Sequence, residues 1–175
     1  MIRAKSSSRF TYRLSDDQGL DLGVLKMPDY IAAPRKGWTE SLVPDGFKDH
    51  VKIVLGPQSY RVEFEVLSGL AMKSRQLRFF LMEGERTIAA TRAHAFRSDP
   101  WELESGGQDY RLSRAGGLFS PMCFELSRGP EKVGRIVDTT GFSLWSRTFE
   151  IDLPDELDRA VQVFLFFLAV NTAFR

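Results

Sequence analysis

Residues able to do chemistry are few in this chain, and they are scattered. The two histidines, His50 and His94, lie far apart with no metal-ligand spacing around them, so separate structural or surface roles are expected. The single cysteine, Cys123, stands between Met122 and Phe124 in an alternating apolar stretch, where a buried, inert thiol is the usual outcome. A Cys–His nucleophile would need His50 or His94 brought beside Cys123, and nothing in the spacing does that. Ser105-Gly106-Gly107 and Ala115-Gly116-Gly117 fall between extended stretches rather than before helices. They are turn signals and do not form the phosphate cradle of a helix N-terminus. What remains is a cationic cluster of Lys73, Arg75 and Arg78, with Arg61, Arg92 and Arg97 as outliers. Arginine holds phosphate through paired N–H groups and lysine adds a point charge, so an anionic headgroup suits this cluster. The plainer reading of the same residues is the wet face of a strand, which ordinarily carries Lys and Arg. No catalytic residue, metal ligand or cofactor-binding motif emerges.

The elements that must position these residues follow from patterning. At 175 residues, with 43% hydrophobic and 27% charged residues, the chain fits one soluble domain over 1–175. Its net charge of +1 supplies no global field toward nucleic acid or membrane. One cysteine excludes an intrachain disulfide and fits a reducing, cytoplasmic setting. The N-terminus lacks the apolar core of a secretory signal. It is basic and serine-rich like a transit peptide, and the simpler expectation is a ragged basic end.

The C-terminal stretch organises the rest. Pro154 suits a first helical position, and Asp155 and Glu156 place acid near the positive end of the helix dipole, so a helix is expected over about 155–174. From Ala160 to Val170 every residue is apolar except Gln162. A helix apolar all round is buried in protein or in a membrane, and this run is shorter than the roughly 20 residues a bilayer needs. Phe164, Leu165, Phe167 and Leu168 are therefore the expected core.

Before the helix the chain reads as short strands. Phe10, Tyr12 and Leu14 alternate and suggest a first strand, with a partner through Leu20, Leu22, Val24 and Leu25. Residues 27 to about 48 are an irregular connection. From His50 onward, Val51-Ile53-Leu55, Tyr60-Val62-Phe64-Val66 and Leu77–Met82 alternate or run apolar. Similar stretches follow around Thr87–Thr91, Trp101–Leu103, Tyr110–Leu112, Met122–Leu126, Val133–Ile136 and Phe142–Ile151. Gly84, Gly106 and Gly129 mark hairpin turns between them. A barrel has room inside for an all-apolar helix, whereas a sandwich has none. The expected fold is mainly β: a closed antiparallel barrel of about twelve strands enclosing the hydrophobic C-terminal helix.

The run Phe149-x-Ile151-x-Leu153-Pro154-x-Glu156-Leu157-Asp158, followed by the apolar helix, resembles the end of the phospholipid scramblase family. The preceding hairpins resemble that family and the LURP-one-related proteins of the tubby-like superfamily. The resemblance implies a twelve-stranded barrel threaded by its C-terminal helix. It also implies phosphoinositide headgroups held on strand-borne Lys and Arg, which points again to Lys73, Arg75 and Arg78. Scramblases carry an acidic calcium-binding segment just before the Phe-x-Ile motif, and here Trp145, Ser146, Arg147 and Thr148 occupy those places. Calcium takes six to eight oxygen ligands, several of them carboxylates, and Glu150, Asp152, Asp155 and Glu156 do not restore that spacing.

The expectation is a non-enzymatic, calcium-independent module without cofactor that binds an anionic phospholipid headgroup or membrane surface. The alternatives are a protein-interaction module, or an enzyme with a pocket at a barrel end. No nucleic-acid partner and no transmembrane span are expected; ligand identity and oligomeric state are not encoded in any motif.

Overall fold

A strand turns successive side chains to opposite faces, and most of the thirteen strands among the described residues use that alternation to bury one face. The computed structural model describes residues 1–8, 11–27, 51–68, 76–92, 94–95, 100–116, 121–141 and 146–173. The strands are β1 (Ile2–Ser8), β2 (Thr11–Asp16), β3 (Asp21–Lys26), β4 (Lys52–Leu55), β5 (Gln58–Ser68), β6 (Gln76–Glu83) and β7 (Arg86–Thr91). There follow β8 (His94–Ala95), β9 (Trp101–Ser105), β10 (Gln108–Ala115), β11 (Cys123–Arg128), β12 (Glu131–Asp138), β13 (Thr148–Asp152) and one helix, α1 (Arg159–Ala173).

All pairings are antiparallel, in the order β5-β4-β3-β2-β1-β13-β12-β11-β10-β9-β7-β6, and β5 also pairs with β6. Twelve strands therefore close into a barrel with no free edge, and the two-residue β8 lies against β6 beyond the end of β7. Closure satisfies the backbone groups that an open edge would expose.

The predicted turns at Gly84, Gly106 and Gly129 are present, each with positive φ, a conformation open to glycine at little cost. Gly23 meets a different demand. Its φ is 141°, and a Cβ there would sit 1.9 Å from the Val54 carbonyl oxygen, so β3 and β4 can approach only because no side chain intervenes.

Two expectations need correction. The N-terminus is not a ragged end: Ile2–Ser8 forms β1, held between β2 and β13, with Ile2 and Ala4 buried. Its inward apolar groups are just one isoleucine and one alanine before a run of serines, too short a pattern to be recognised as a strand. The helix also starts later than expected. Pro154 accepts a turn hydrogen bond from Leu157 N (3.1 Å), and the cap is Asp158, whose Oδ1 accepts from Ala160 N at 2.7 Å. An Asp side chain satisfying an otherwise unpaired N–H marks the helix boundary more strongly than the proline does. Asp155 and Glu156 therefore belong to the turn. The 27–48 connection falls almost wholly outside the described residues, as do Phe142–Trp145 and Phe174.

Helix α1 fills the lumen. Every residue from Ala160 to Asn171 is buried, and Phe164, Leu165, Phe167 and Leu168 are fully so. At about 1.5 Å per residue its 15 residues span roughly 22 Å. Phe166 meets Tyr12 and Phe149 edge-on or tilted, both at 5.2 Å between centroids. Phe167 meets Phe79 at 5.7 Å and 74°, and Phe79 in turn meets Trp101 at 5.5 Å. Adjacent phenylalanines of one helix thus bind different parts of the wall. Gln162, the polar exception in the apolar run, donates from Nε2 to the Leu157 and Pro154 carbonyls (2.9 and 3.3 Å), locking the entry turn onto the helix. Near the other end, Trp101 Nε1 donates to Thr172 Oγ1 at 2.7 Å, and that hydroxyl donates to Leu168 O at 2.8 Å.

Candidate functional site

Antiparallel alternation sorts the connections to two ends. The two-residue turns at Gly56-Pro57, Gly84-Glu85, Gly106-Gly107 and Gly129-Pro130, and the four-residue turn over 17–20, all lie at the end where the chain enters α1. The strand ends flanking the longer connections lie at the opposite end, with the C-terminus of α1. Longer connections carried by a rigid scaffold are where binding residues concentrate.

Of the expected cationic cluster, Lys73 and Arg75 lie outside the described residues, as does Arg97. Arg78 is described and half-buried on β6. Its buried neighbours Phe79 and Leu81 confirm the inward register of that strand. Arg78 Nε donates to the Thr91 carbonyl at 3.1 Å, and its guanidinium lies 4.9 Å above the Phe80 ring. Thr91 is itself buried, and its Oγ1 accepts from Phe79 N at 2.9 Å. A planar guanidinium resting on an aromatic face keeps part of its donor fork for another partner. Glu65 faces Arg78 across β5 and β6.

The outliers do not extend this site. Arg61 is held by Glu63 (2.8 Å) and Glu85 (3.3 Å). Arg92 is held by Asp109 (2.7 Å) and Glu102 (3.6 Å). His50 lies outside the described residues, and His94 stands opposite Leu77 in the backbone register of β8 and β6.

The carboxylates near the Phe149-x-Ile151 motif are spread among separate arginines. Glu150 faces Arg3 (3.8 Å), Asp152 faces Arg135 (3.8 Å) and Glu156 faces Arg128 (3.1 Å). Arg147 pairs with Asp138 (3.1 Å), and its backbone N–H donates to Ser6 Oγ at 2.8 Å. Trp145 lies outside the described residues. Among the described residues no three His, Cys, Asp or Glu side chains are placed to hold a metal ion.

Burial favours the neutral, protonated form of Tyr12, Tyr60 and Cys123. It pushes the Tyr12 phenol up to about 12, a shift that Arg147 opposes and Asp138 reinforces. The Tyr60 phenol is raised by burial, then by Asp158 and Glu83. The Cys123 thiol is raised chiefly by burial, which disfavours the nucleophilic thiolate. Cys123 is only half-buried, however, because it shares the outward register of β11 with Glu125 while Phe124 and Leu126 point inward. The sequence pattern implies a buried thiol, and the thiol is instead half-buried on the outer face.

Sequence reasoning missed the lacing of Ser6, Asp138 and Arg147, and also the outward cations Lys5, Arg13, Lys26 and Lys52 of β1–β4. No motif marks either group, because neighbours around a barrel are remote in sequence. No protein-family model matches the chain, and no curated protein or solved structure matches it significantly.

Proposed function

We propose that this barrel is a cytoplasmic, non-enzymatic, calcium-independent module that recognises anionic phospholipid headgroups or a membrane surface. One observation carries the reading: the lumen is occupied by the protein's own helix, with Ala160–Asn171 buried, so a ligand must be met on the outer wall or at an end. Arg78 supports it. Its guanidinium is oriented by Phe80 and the Thr91 carbonyl, and Lys73 and Arg75 precede it closely in the chain. The resemblance of Phe149-x-Ile151-x-Leu153-Pro154 and the apolar helix to the scramblase and LURP-one-related proteins favours the same class of partner. Calcium independence is supported by the engagement of Glu150, Asp152 and Glu156 with three different arginines.

Liposome co-sedimentation tests the reading. The wild type is expected to bind vesicles containing phosphatidylserine or phosphoinositide at low salt, with or without calcium. The combined change Lys73→Glu, Arg75→Glu and Arg78→Glu is expected to reduce that binding without unfolding the barrel. A wild type that ignores every anionic vesicle overturns the lipid reading and leaves a protein-interaction module in its place.

A further inference from the structure

Around most of the wall, opposite charges face each other in register. Arg3 faces Glu150, Glu65 faces Arg78, Glu102 faces Arg111, and Arg135 stands between Glu125 and Asp152. Asp109 and Glu104 are like-charged partners, and Arg92 binds Asp109 at 2.7 Å. Strands β1 to β4 break this arrangement. Lys5 faces Arg13 across β1 and β2, and Lys26 faces Lys52 across β3 and β4. Lys52 also faces Arg61 on β5.

Like charges directly opposite each other destabilise a sheet. Yet Lys5, Arg13, Lys26 and Lys52 are all exposed, and none forms an ion pair or side-chain hydrogen bond among the described residues. The register joins them into two adjacent rows, Lys5–Arg13–Val24–Val54 and Thr11–Lys26–Lys52–Arg61. Strands lie about 4.8 Å apart and alternate outward residues about 7 Å apart, so all four cations share a patch a few strands wide. No acid stands among these outward positions. The patch alone carries more positive charge than the whole chain nets, which is +1.

We infer that the outer wall of β1–β4 is a docking face for an anionic lipid bilayer, with Lys5, Arg13, Lys26 and Lys52 toward the headgroups. The partner class rests on the reading above, but the face is a different one, separated from Arg78 by Glu63 and Glu65 on β5. The half-buried Val24 and Val54, next to Arg13 in one row and alongside Lys26 and Lys52 of the other, give the patch an apolar flank against the interface. Long lysine stems extend their charges past such a flank. Among the described residues the outward positions of this face carry no aromatic platform of the kind that holds single-stranded nucleic acid. A self-repelling set of cations is a cost in the free protein and is relieved where a negative surface screens it.

Flotation with vesicles of phosphatidylcholine containing phosphatidylserine tests this on the full chain. Each cation near such a surface adds roughly five-fold in partition, so Lys26→Gln with Lys52→Gln should weaken binding about 30-fold. The melting temperature should hold or rise, because the substitution relieves like-charge repulsion. Unchanged vesicle binding by that variant, with wild type binding, overturns this face and leaves the proposed lipid function standing. Failure of the wild type to bind any anionic vesicle at low salt overturns both. Wild-type binding to a single-stranded oligonucleotide in preference to vesicles, lost in the same variant, replaces the bilayer with nucleic acid and also overturns the inference.

Discussion

Replacing Phe167 by alanine tests the enclosed helix at its centre. Phe167 is fully buried, stacks on Phe164 (6.3 Å, 16°) and meets Phe79 edge-on (5.7 Å, 74°). Phe→Ala in a core costs about 3–5 kcal/mol, because transfer energy and a residual cavity add. A domain of this kind holds about 5–15 kcal/mol in all, so the variant should remain folded but lose a large part of its margin. At about 2–4 °C per kcal/mol for a chain of this length, its melting temperature should fall by roughly 10 °C. Partner specificity sharpens the test. A double-mutant cycle between Phe79 and Phe167 should give a coupling of about 0.5–1.5 kcal/mol. A cycle between Phe79 and Phe166, whose partners are Tyr12 and Phe149, should be additive within about 0.5 kcal/mol. Urea unfolding of the wild type, the three single variants and the two double mutants measures every term. A Phe167→Ala loss below about 1 kcal/mol, or coupling of Phe79 to Phe166 in place of Phe167, would refute the placement of α1 in the lumen.

Three further perturbations probe the same architecture. Gln162→Leu keeps apolar volume but strips the Pro154 and Leu157 carbonyls of their donor; it should cost about 1–3 kcal/mol in urea unfolding, and a stabilised variant would rule out the lock. Asp158→Ala should cost about 1 kcal/mol while Asp158→Asn stays near wild type; equal losses in both would point to charge in place of capping. The Tyr12 phenol is raised from 10.0 to about 12, so the folded state keeps a proton that the unfolded chain releases. Its contribution is complete below about pH 10, falls as pH rises toward 12, and amounts to about 1–3 kcal/mol. Alkaline unfolding of Tyr12→Phe should be correspondingly shallower, and identical pH profiles would remove Tyr12 as the cause.

Legibility followed the strength of the local signal. The helix was plain because Ala160–Val170 is apolar on every face, and a run too short to span a bilayer needs an enclosing wall to bury it. The hairpins around Gly84, Gly106 and Gly129 were plain because alternation and turn chemistry agree. β1 was hidden because its burial depends on β2 and β13, with Ala4 facing Leu14 on one side and Phe149 on the other. The start of α1 was misplaced because Asp158, four residues after Pro154, takes the cap. At the candidate site, composition identified Arg78 but could not show that Arg61 and Arg92 are occupied by carboxylates distant in sequence. For the same reason Lys26 and Lys52, on either side of a long connection, gave no sign of facing each other.

The closed wall and filled lumen together separate stability from recognition. Folding energy is concentrated in groups that touch α1, such as Phe79, Trp101, Tyr12 and Phe149, whose rings all point inward. The outward residues contribute little: exposed ion pairs such as Arg3–Glu150 and Arg92–Glu102 are each worth about 0–1 kcal/mol. A barrel built this way can change the charge of its exterior without rearranging its core. The opposed cations of β1–β4 are tolerable because their repulsion is small beside the burial of one phenylalanine. Defects in binding should therefore map to outward positions with little change in melting temperature, and defects in melting temperature to the lumen. A patch variant that lost binding only by unfolding would contradict that division.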